Sequence, residues 1–340
     1  MNDNLPDFSD SDGAHPYLPL KPLNDPFQAQ LYVDGHVDLP YYMMNRAKDS
    51  LLGDLDEGPF TIDKAKQAGV RLFCTALYCE DSFNGESSYD RLQEIIGFTL
   101  AHFDPITIIY NIDVFLELKK DPDQIATLFL LENADALAGK PAAIIQLKET
   151  GIRIVGLTHA GRNRLGDGNS VPYSDGLTKL GKEVIRGLDD NGLVIDVAHL
   201  HPRCFWQLVD LFEGPIVSSH SGIREVFDIP RNIDLNQAGE IFKRGGVVGI
   251  TFNPEMISHE KETGVDHVFV HLDTLVQKYG PDGVGIGSDF CGFDRFTEGL
   301  EDISGLRHLM NIMLSHGYGE TSANMILGLN WLRIYEGMYS

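Results

Sequence analysis

Short apolar stretches alternate with longer amphipathic ones along most of the chain, starting at residue 31. Eight runs rich in Val, Ile and Leu lead into polar or glycine-rich residues, at positions 31–40, 69–78, 126–133, 152–161, 192–200, 214–222, 246–254 and 283–292. Helix-like patterns separate or follow these runs, at positions 61–69, 87–101, 134–148, 178–191, 202–212, 235–244, 265–279 and 301–316. This alternation indicates parallel strands joined by crossover helices.

The apolar character of the eight runs indicates how the sheet is covered. Parallel strands that are buried on both faces read as continuous apolar runs, as in a closed (β/α)8 barrel. An open, doubly wound sheet is the competing architecture. Because no change in composition divides the eight units, we predict an α/β protein with one TIM-like barrel domain over 31–340. Residues 1–30 carry five acidic groups and five prolines without apolar periodicity, and we predict a partly disordered arm there.

Composition and charge exclude several classes of protein. The 340 residues include 27 Lys and Arg against 50 Asp and Glu, a formal net charge of −23, which excludes a basic nucleic-acid binder. No run approaches the roughly 18 consecutive apolar residues of a membrane span, and the N-terminus does not resemble a secretion signal. Four cysteines without a C-x-x-C pair are typical of reduced thiols. We therefore predict a cytoplasmic protein without a membrane partner. As a separate expectation, its candidate assembly is a homodimer.

Six of the eight runs end in residue types that bind metals or transfer protons. In barrels of this kind the active site lies at the C-terminal ends of the strands, where the βα loops converge. The residues at these ends are His36, Asp38, Glu132, His159, His199, His220 and Asp289. Taken singly, each is explained as well by a cap or a backbone hydrogen bond, but their joint placement favours a metal site.

The predicted ligands divide between two ions. His36 and Asp38 are two residues apart on a predicted strand that Pro40 ends, so both side chains should point to the same face and hold one ion. Glu132 is placed to bridge to a second ion, which His199 and His220 would hold. Imidazole and carboxylate ligands suit a divalent ion such as Zn²⁺.

Two nearby residues leave alternatives open. His201 is two residues from His199, so the sequence alone also supports a His199/His201 pair, although Pro202 suggests that a helix starts there. Asp196 precedes His199 by three residues and by alternation should point to the opposite face. We interpret it as a structural or supporting group.

Rival catalytic signatures are absent or incomplete. The chain has no G-x-S-x-G nucleophile motif, and a P-loop-like stretch at 176–183 has Glu183 where a Mg²⁺-binding hydroxyl is required. Gly283, Gly285 and Gly287 lie in a late strand rather than in a first βα turn, so close backbone packing explains them better than dinucleotide binding.

Several motifs together resemble a known family. In chain order they are DGHVDLP (34–40), LLEN (130–133), RIVGLTHAGRNRLGDG (153–168), GLVIDVAHL (192–200), PIVSSHS (215–221), PRNIDL (230–235), VGIGSDF (284–290) and GLNWLRIYE (328–336). This set resembles the membrane dipeptidase (renal dipeptidase) family of binuclear zinc peptidases, which belongs to the metal-dependent amidohydrolase superfamily. The resemblance covers about nine tenths of the chain. The ending ITFNPEM of the seventh run departs from the family pattern, which leaves the side-chain preference open.

The resemblance implies a role for each matching residue. It makes His36 and Asp38 ligands of the first zinc, Glu132 the bridge, and His199 and His220 ligands of the second, which favours His199 over His201. It further implies that His159 stabilises the oxyanion and that Arg231 receives the substrate carboxylate. A planar guanidinium suits the second role because it binds a carboxylate through two hydrogen bonds.

These residues predict a zinc dipeptidase that uses a metal-bridging hydroxide. Two ions about 3.5 to 4 Å apart lower the pKa of a shared water and polarise the scissile carbonyl. Asp289, the remaining strand-end carboxylate, would take the proton from that water and deliver it to the leaving amine, unless it is a further ligand. The alternatives are an amidohydrolase acting on an N-acyl amino acid, lactam or lactone, and a catalytically silent binding protein. The expected partner is a dipeptide or a similar small carboxylate.

Overall fold

The computed structural model describes residues 31–118, 120–121 and 123–339. The predicted arm at 1–30 lies outside these residues. The strands are β1 (Tyr32–Val37), β2 (Val70–Tyr78), β3 (Thr107–Ile108), β4 (Ala126–Glu132), β5 (Ile152–Gly156), β6 (Val194–Asp196), β7 (Ile216–Ser221), β8 (Val248–Ile250) and β9 (Val284–Ile286).

Eight of these strands form a parallel barrel. They pair in the order β1-β2-β4-β5-β6-β7-β8-β9, while the two-residue β3 pairs with β4 off this path. The first and last strands meet, since Asp38 N donates to Phe290 O at 2.9 Å and Asp289 N donates to His36 O at 3.1 Å. This closure confirms the predicted (β/α)8 barrel and excludes the open doubly wound sheet.

Helices cover the outside of the barrel. They are α1 (Leu39–Arg46), α2 (Ile62–Ala68), α3 (Ser88–His102), α4 (Ile112–Leu118), α5 (Pro141–Glu149), α6 (Lys179–Asp190), α7 (Pro202–Val209), α8 (Leu235–Lys243), α9 (Pro254–Ile257), α10 (Val265–Tyr279), α11 (Leu306–Ser315), α12 (Glu320–Asn324) and α13 (Asn330–Gly337), with a π-helical turn at Met325–Leu329 before α13. Among the described residues, none of these helices has the length and apolar content that a bilayer crossing requires.

Three predicted helices differ from the observed ones, and one of them, expected over 301–316, begins only at Leu306 after a 3₁₀ turn at Ile303–Gly305. The helix expected over 134–148 is divided into a 3₁₀ turn, Ala134–Leu137, and α5. Gly139 has a positive φ of 71°, and Pro141 then starts α5, so the backbone turns between the two pieces. The helix expected over 202–212 ends earlier, at Val209.

The prediction that Pro40 ends the first strand is wrong. β1 already ends at Val37, and Pro40 lies in the first turn of α1, where its missing N–H costs no helical hydrogen bond. Asp38 is therefore the N-cap of α1, with φ −88° and ψ 42°, and it does not follow the strand alternation that we used to pair it with His36. The two side chains nevertheless converge, as described below.

Helix α13 fills the end of the barrel away from the strand C-termini. Asn330 donates to the carbonyl oxygens of Pro281 and Val284 at 2.8 Å, next to the start of β9. The Trp331 indole is fully buried in the barrel core and donates to Ile286 O at 2.7 Å. A Cβ on Gly285 would lie 2.6 Å from this ring, so the strand glycine serves close packing, as the sequence indicated. The opposite end of the barrel is left as the open mouth.

Candidate active site

The C-terminal ends of the barrel strands surround a pocket of about 400 Å³. It is lined by Asp38, Tyr41, Tyr78, Glu132, His159, His199, His220, Ile229, Arg231, Asn253, Glu255, Met256, Asp289 and Gly292. Seven of the eight residues predicted for the site thus line one pocket. The eighth, His36, is fully buried and contacts the carboxylates of Asp38 and Glu132 from below.

The predicted ligands fall into two groups that share Glu132. In one group, His36 Nε2 lies 3.4 Å from Asp38 Oδ2 and 3.7 Å from Glu132 Oε2. In the other, Glu132 Oε1 lies 2.8 Å from His199 Nε2 and 3.8 Å from His220 Nε2. All potential ligand atoms of a group lie within 4.8 Å of one another. The two oxygens of Glu132 therefore face different groups, which is the arrangement that a bridging ligand requires.

The donor set fits divalent metal ions. The Nε2 atom of His36 is buried and has no hydrogen-bond partner among the described residues, although a buried polar nitrogen is costly to leave unpaired. The Nε2 atoms of His199 and His220 approach each other to 3.1 Å. Imidazole nitrogens and carboxylate oxygens in this mixture are typical zinc ligands.

Burial and charge shift the pKa values of the ligand set in opposite directions. Burial disfavours the charged form of His36, but the carboxylates of Asp38 and Glu132 outweigh it and raise its pKa to about 10. Burial and the nearby Arg231 lower the pKa of His199 to about 3. Burial and repulsion from Asp38 raise the pKa of Asp289 well above its usual value. The carboxylates thus lie close together in a largely buried site, where a bound cation would compensate their charge.

Asp289 lies at the rim of the ligand groups in a constrained backbone conformation. Its φ is +65°, in the left-handed region that few non-glycine residues adopt. Asn253 Nδ2 donates to Oδ2 at 3.2 Å, and Oδ1 lies 4.0 Å from His220 Nε2. Asp289 also forms a third possible metal group with His36 and His220. The geometry therefore accommodates both a proton-transfer role and a ligand role.

His159 is oriented by groups that the sequence analysis did not identify. Its Nδ1 lies 3.2 Å from Asp81 Oδ2 and 3.4 Å from Tyr78 Oη. Asp81 also accepts the backbone N–H of Gly161 at 2.9 Å, so it ties the loop that carries His159 to the end of β2. The His159 ring lies 4.4 Å from the ring of His199, between the ligand groups and the pocket mouth.

Arg231 is half-buried beside the second ligand group. Its Nη2 donates to His220 O at 3.0 Å and lies 3.2 Å from His199 Nε2, while its Nη1 donates to the carbonyl oxygen of Ala198. Two backbone carbonyls thus fix the plane of the guanidinium. A half-buried guanidinium held by two carbonyls in the pocket wall is suited to hold a carboxylate.

The two alternatives around β6 now have structural answers. His201 is the N-cap of α7 and its Nδ1 accepts the N–H of Arg203, so it lies outside both ligand groups. Asp196 is the last residue of β6, so alternation does not extend to His199. Its carboxylate accepts hydrogen bonds from Ser219, which places it beneath the histidines, where a supporting group would lie.

The residues that were missed lie at or just after the ends of the second and seventh runs. We applied the strand-end argument to six of the eight runs. The same argument applied to the other two would have identified Tyr78 at the end of β2, Asp81 shortly after it, and Asn253 after β8. Gly292 is required for a steric reason instead, since a Cβ at this position would lie 2.6 Å from Asp38 Oδ2 and 2.8 Å from Asp289 Oδ1.

Fold and site together define a metal-dependent hydrolase built on a (β/α)8 barrel. Residues 24–338 match the model of the membrane dipeptidase family, peptidase family M19, and the chain belongs to that family. The relatives include an uncharacterized dipeptidase of Schizosaccharomyces pombe, 27% identical over 326 residues, which cover 89% of this chain and 80% of the relative.

Solved structures share the fold. A metallopeptidase of Rhodobacter sphaeroides, solved with a phosphinate mimic of the dipeptide L-Ala-D-Ala, matches with a TM-score of 0.81 at 21% identity, over 91% of this chain and 99% of that one. The probable dipeptidase PvdM of Pseudomonas aeruginosa matches with a TM-score of 0.80 at 20% identity, over 92% and 96% of the two chains.

Proposed function

We propose that this protein is a zinc-dependent dipeptidase that holds two ions and hydrolyses the peptide bond of dipeptides. The observation that carries the proposal is the pair of ligand groups that share Glu132, in a pocket that also contains Arg231. Family membership and the dipeptide mimic bound by the Rhodobacter relative support the substrate class.

The distances support a division of the ligands between two ions. His36 and Asp38 would hold one ion, His199 and His220 the other, and Glu132 would contribute one oxygen to each. Five protein ligands with one shared carboxylate are more than a single catalytic zinc site uses, since such sites keep about three protein ligands and an open position. When bound, a pair of such ions supplies Lewis-acid polarisation of a carbonyl and a water of lowered pKa.

The other pocket residues would orient the substrate and move protons. Arg231 would bind the free carboxylate, which fixes the scissile bond relative to the ligand groups. His159, held by Asp81, would donate a hydrogen bond to the carbonyl oxygen as negative charge develops there. Asp289 would accept a proton at one carboxylate oxygen and return it to the leaving amine, while Asn253 holds the other oxygen.

Pocket size is compatible with a small substrate. About 400 Å³ lies at the lower end of the range of roughly 300 to 1,000 Å³ typical of small-molecule sites. The pocket wall also includes Tyr41 and Tyr78, whose rings are 5.6 Å apart, and the exposed side chain of Glu255. These residues would contact the substrate side chains, so substitutions among them are expected to change the preference between dipeptides.

The test is a hydrolysis panel with metal control. We expect purified enzyme to cleave dipeptides, including pairs with a C-terminal D residue, to lose activity on chelation, and to recover it with added Zn²⁺. Matched variants are Glu132→Gln, which should lose most activity, and His201→Gln, which should keep it. Equal losses from the two variants, or dipeptide cleavage that survives complete metal removal, would contradict the proposal.

The same panel separates the related amidohydrolase function. N-acyl amino acids keep the carboxylate that Arg231 would bind but lack a free amine. Efficient cleavage of N-acetyl amino acids without cleavage of dipeptides would assign the enzyme to that function instead.

Cellular location and assembly stay proposals. All four cysteines are buried free thiols, which supports a reducing compartment such as the cytoplasm. Cell fractionation tests the location, and sedimentation of the purified protein tests the homodimer.

A further inference from the structure

One hydroxyl group lies between a histidine of each ligand group. Ser219 Oγ is 3.0 Å from His36 Nδ1, 2.8 Å from His220 Nδ1 and 2.6 Å from Asp196 Oδ2. All four side chains are buried, and the two imidazole rings have centroids 3.7 Å apart and planes tilted by 36°. Of the two groups that share Glu132, one contains His36 and the other contains His220, so Ser219 is a second element that these two groups share.

The hydrogen-bonding capacity of a hydroxyl fixes the direction of these contacts. A serine hydroxyl has one proton to donate and two lone pairs that accept. The other oxygen of Asp196 accepts the N–H groups of Ser219 at 2.8 Å and Ala198 at 3.1 Å, as a carboxylate does. The hydroxyl therefore donates to Asp196 Oδ2, and its two lone pairs accept from the imidazoles. Both histidines must then carry hydrogen on Nδ1, which leaves the Nε2 lone pair for a metal.

The backbone around Ser219 holds this hydroxyl in place. A Cβ at Gly249 would lie 2.2 Å from Ser219 O, and one at Gly287 would lie 1.8 Å from the same oxygen. Only glycine at these two positions lets the neighbouring backbone approach so closely. The backbone that carries the Ser219 hydroxyl is thus packed closely against β8 and against the residue that follows β9.

We propose that Ser219, anchored by Asp196, is a positioning residue that sets the tautomer of one histidine in each metal site and so supports metal binding at both sites. The proposal rests on the proposed binuclear function. Outer partners of metal-binding histidines typically change metal affinity by about 10- to 100-fold when they are removed. Here one substitution should act on both ions.

The test measures the two zinc dissociation constants by competition with a chromophoric chelator. Ser219→Ala should raise both constants by about tenfold or more. Ser218→Ala is the matched control, because it removes a buried hydroxyl from the same strand that bonds to Ser221 instead of a ligand, and both constants should stay within about twofold of wild type.

Asp196→Asn gives a second, directional outcome. The backbone N–H groups of Ser219 and Ala198 would bind the amide oxygen, so the amide nitrogen would donate to Ser219 Oγ. The hydroxyl proton must then go to one imidazole and force the wrong tautomer there. One zinc constant should therefore rise far more than the other.

A spectroscopic readout completes the test. In the zinc-loaded enzyme labelled with ¹⁵N-histidine, two ring Nδ1–H signals should shift in Ser219→Ala and keep their positions in Ser218→Ala. If Ser219→Ala retains both zinc constants within about twofold, or changes only one of them, the proposal is wrong while the binuclear site stands. If wild-type protein binds no zinc, the metal centre and this proposal both fail.

Discussion

Replacement of Asp289 by Asn isolates the proposed proton transfer. The substitution keeps the size of the side chain, and the amide oxygen can still accept the hydrogen bond from Asn253 that Oδ2 accepts at 3.2 Å. It removes the negative charge together with the ability to bind and release a proton. General acid-base catalysis contributes about 10² to 10⁴ in rate, so kcat should fall by that factor. At about 1.36 kcal/mol per tenfold, this corresponds to about 2.7 to 5.4 kcal/mol in the barrier.

The assay is steady-state hydrolysis of a good dipeptide, with elemental analysis of the same samples. Two ions should be retained in Asp289→Asn, because the ligand groups around Glu132 do not need this carboxylate. Asn253→Ala is the matched control, since it removes the hydrogen bond and leaves the carboxylate. Its loss of kcat should be smaller than that of Asp289→Asn.

Two results would refute this reasoning in different ways. A near wild-type kcat in Asp289→Asn would remove the residue from the mechanism. Joint loss of activity and one ion would make Asp289 mainly a ligand, in the group that it can form with His36 and His220.

Three further predictions concern the carboxylate clamp, the pocket rim and acid stability. Arg231→Ala should raise KM for dipeptides more than tenfold, because a charged hydrogen-bonded contact is worth about 1.5 to 3 kcal/mol. Amidating the C-terminal carboxylate of the substrate should have the same effect on the wild type. Equal cleavage of free and amidated dipeptides by the wild type would contradict carboxylate binding by Arg231. Gly292→Ala would place a Cβ 2.6 Å from Asp38 Oδ2 and 2.8 Å from Asp289 Oδ1, so activity measured in the same assay should fall sharply without global unfolding by circular dichroism. Burial alone would raise the pKa of Asp135, but hydrogen bonds from a neighbouring arginine outweigh it and lower the pKa. The charged form therefore stabilises the fold above about pH 3.9, and this stabilisation is lost as the pH falls through the lower folded-state pKa. Asp135→Asn should accordingly lower the free energy of unfolding, measured in urea, by about 2 kcal/mol at pH 7 and by less at pH 3. A difference between wild type and variant that is the same at both pH values would contradict this prediction.

The barrel could be predicted from the sequence because its signal is repeated and local. Each of the eight apolar runs contains one barrel strand, and α10 begins and ends where its pattern predicted. Short elements contain too few residues to show a periodic pattern of apolar positions, so β3, α4 and α9 were not predicted. The interruption of the helix over 134–148 depends on the positive φ of Gly139. A single glycine within an apolar pattern does not predict such a conformation.

The candidate site could be predicted because the C-terminal ends of the strands converge in this fold, regardless of the conformation of the loops. Asp38 illustrates this best, since the argument from strand alternation was wrong and the residue still reaches His36. The supporting groups could not be predicted in the same way. Ser219 contacts His36 across 183 positions of the chain, and such a contact depends on barrel register and side-chain rotamers that no local pattern contains.

Activity measured against zinc equivalents added to metal-free enzyme tests the central claim most directly. Because Glu132 is shared by both ligand groups, we predict that dipeptide hydrolysis rises until two equivalents per chain are bound and does not reach its plateau at one. A full plateau at one equivalent, or dipeptide hydrolysis without any added metal, would contradict a binuclear dipeptidase.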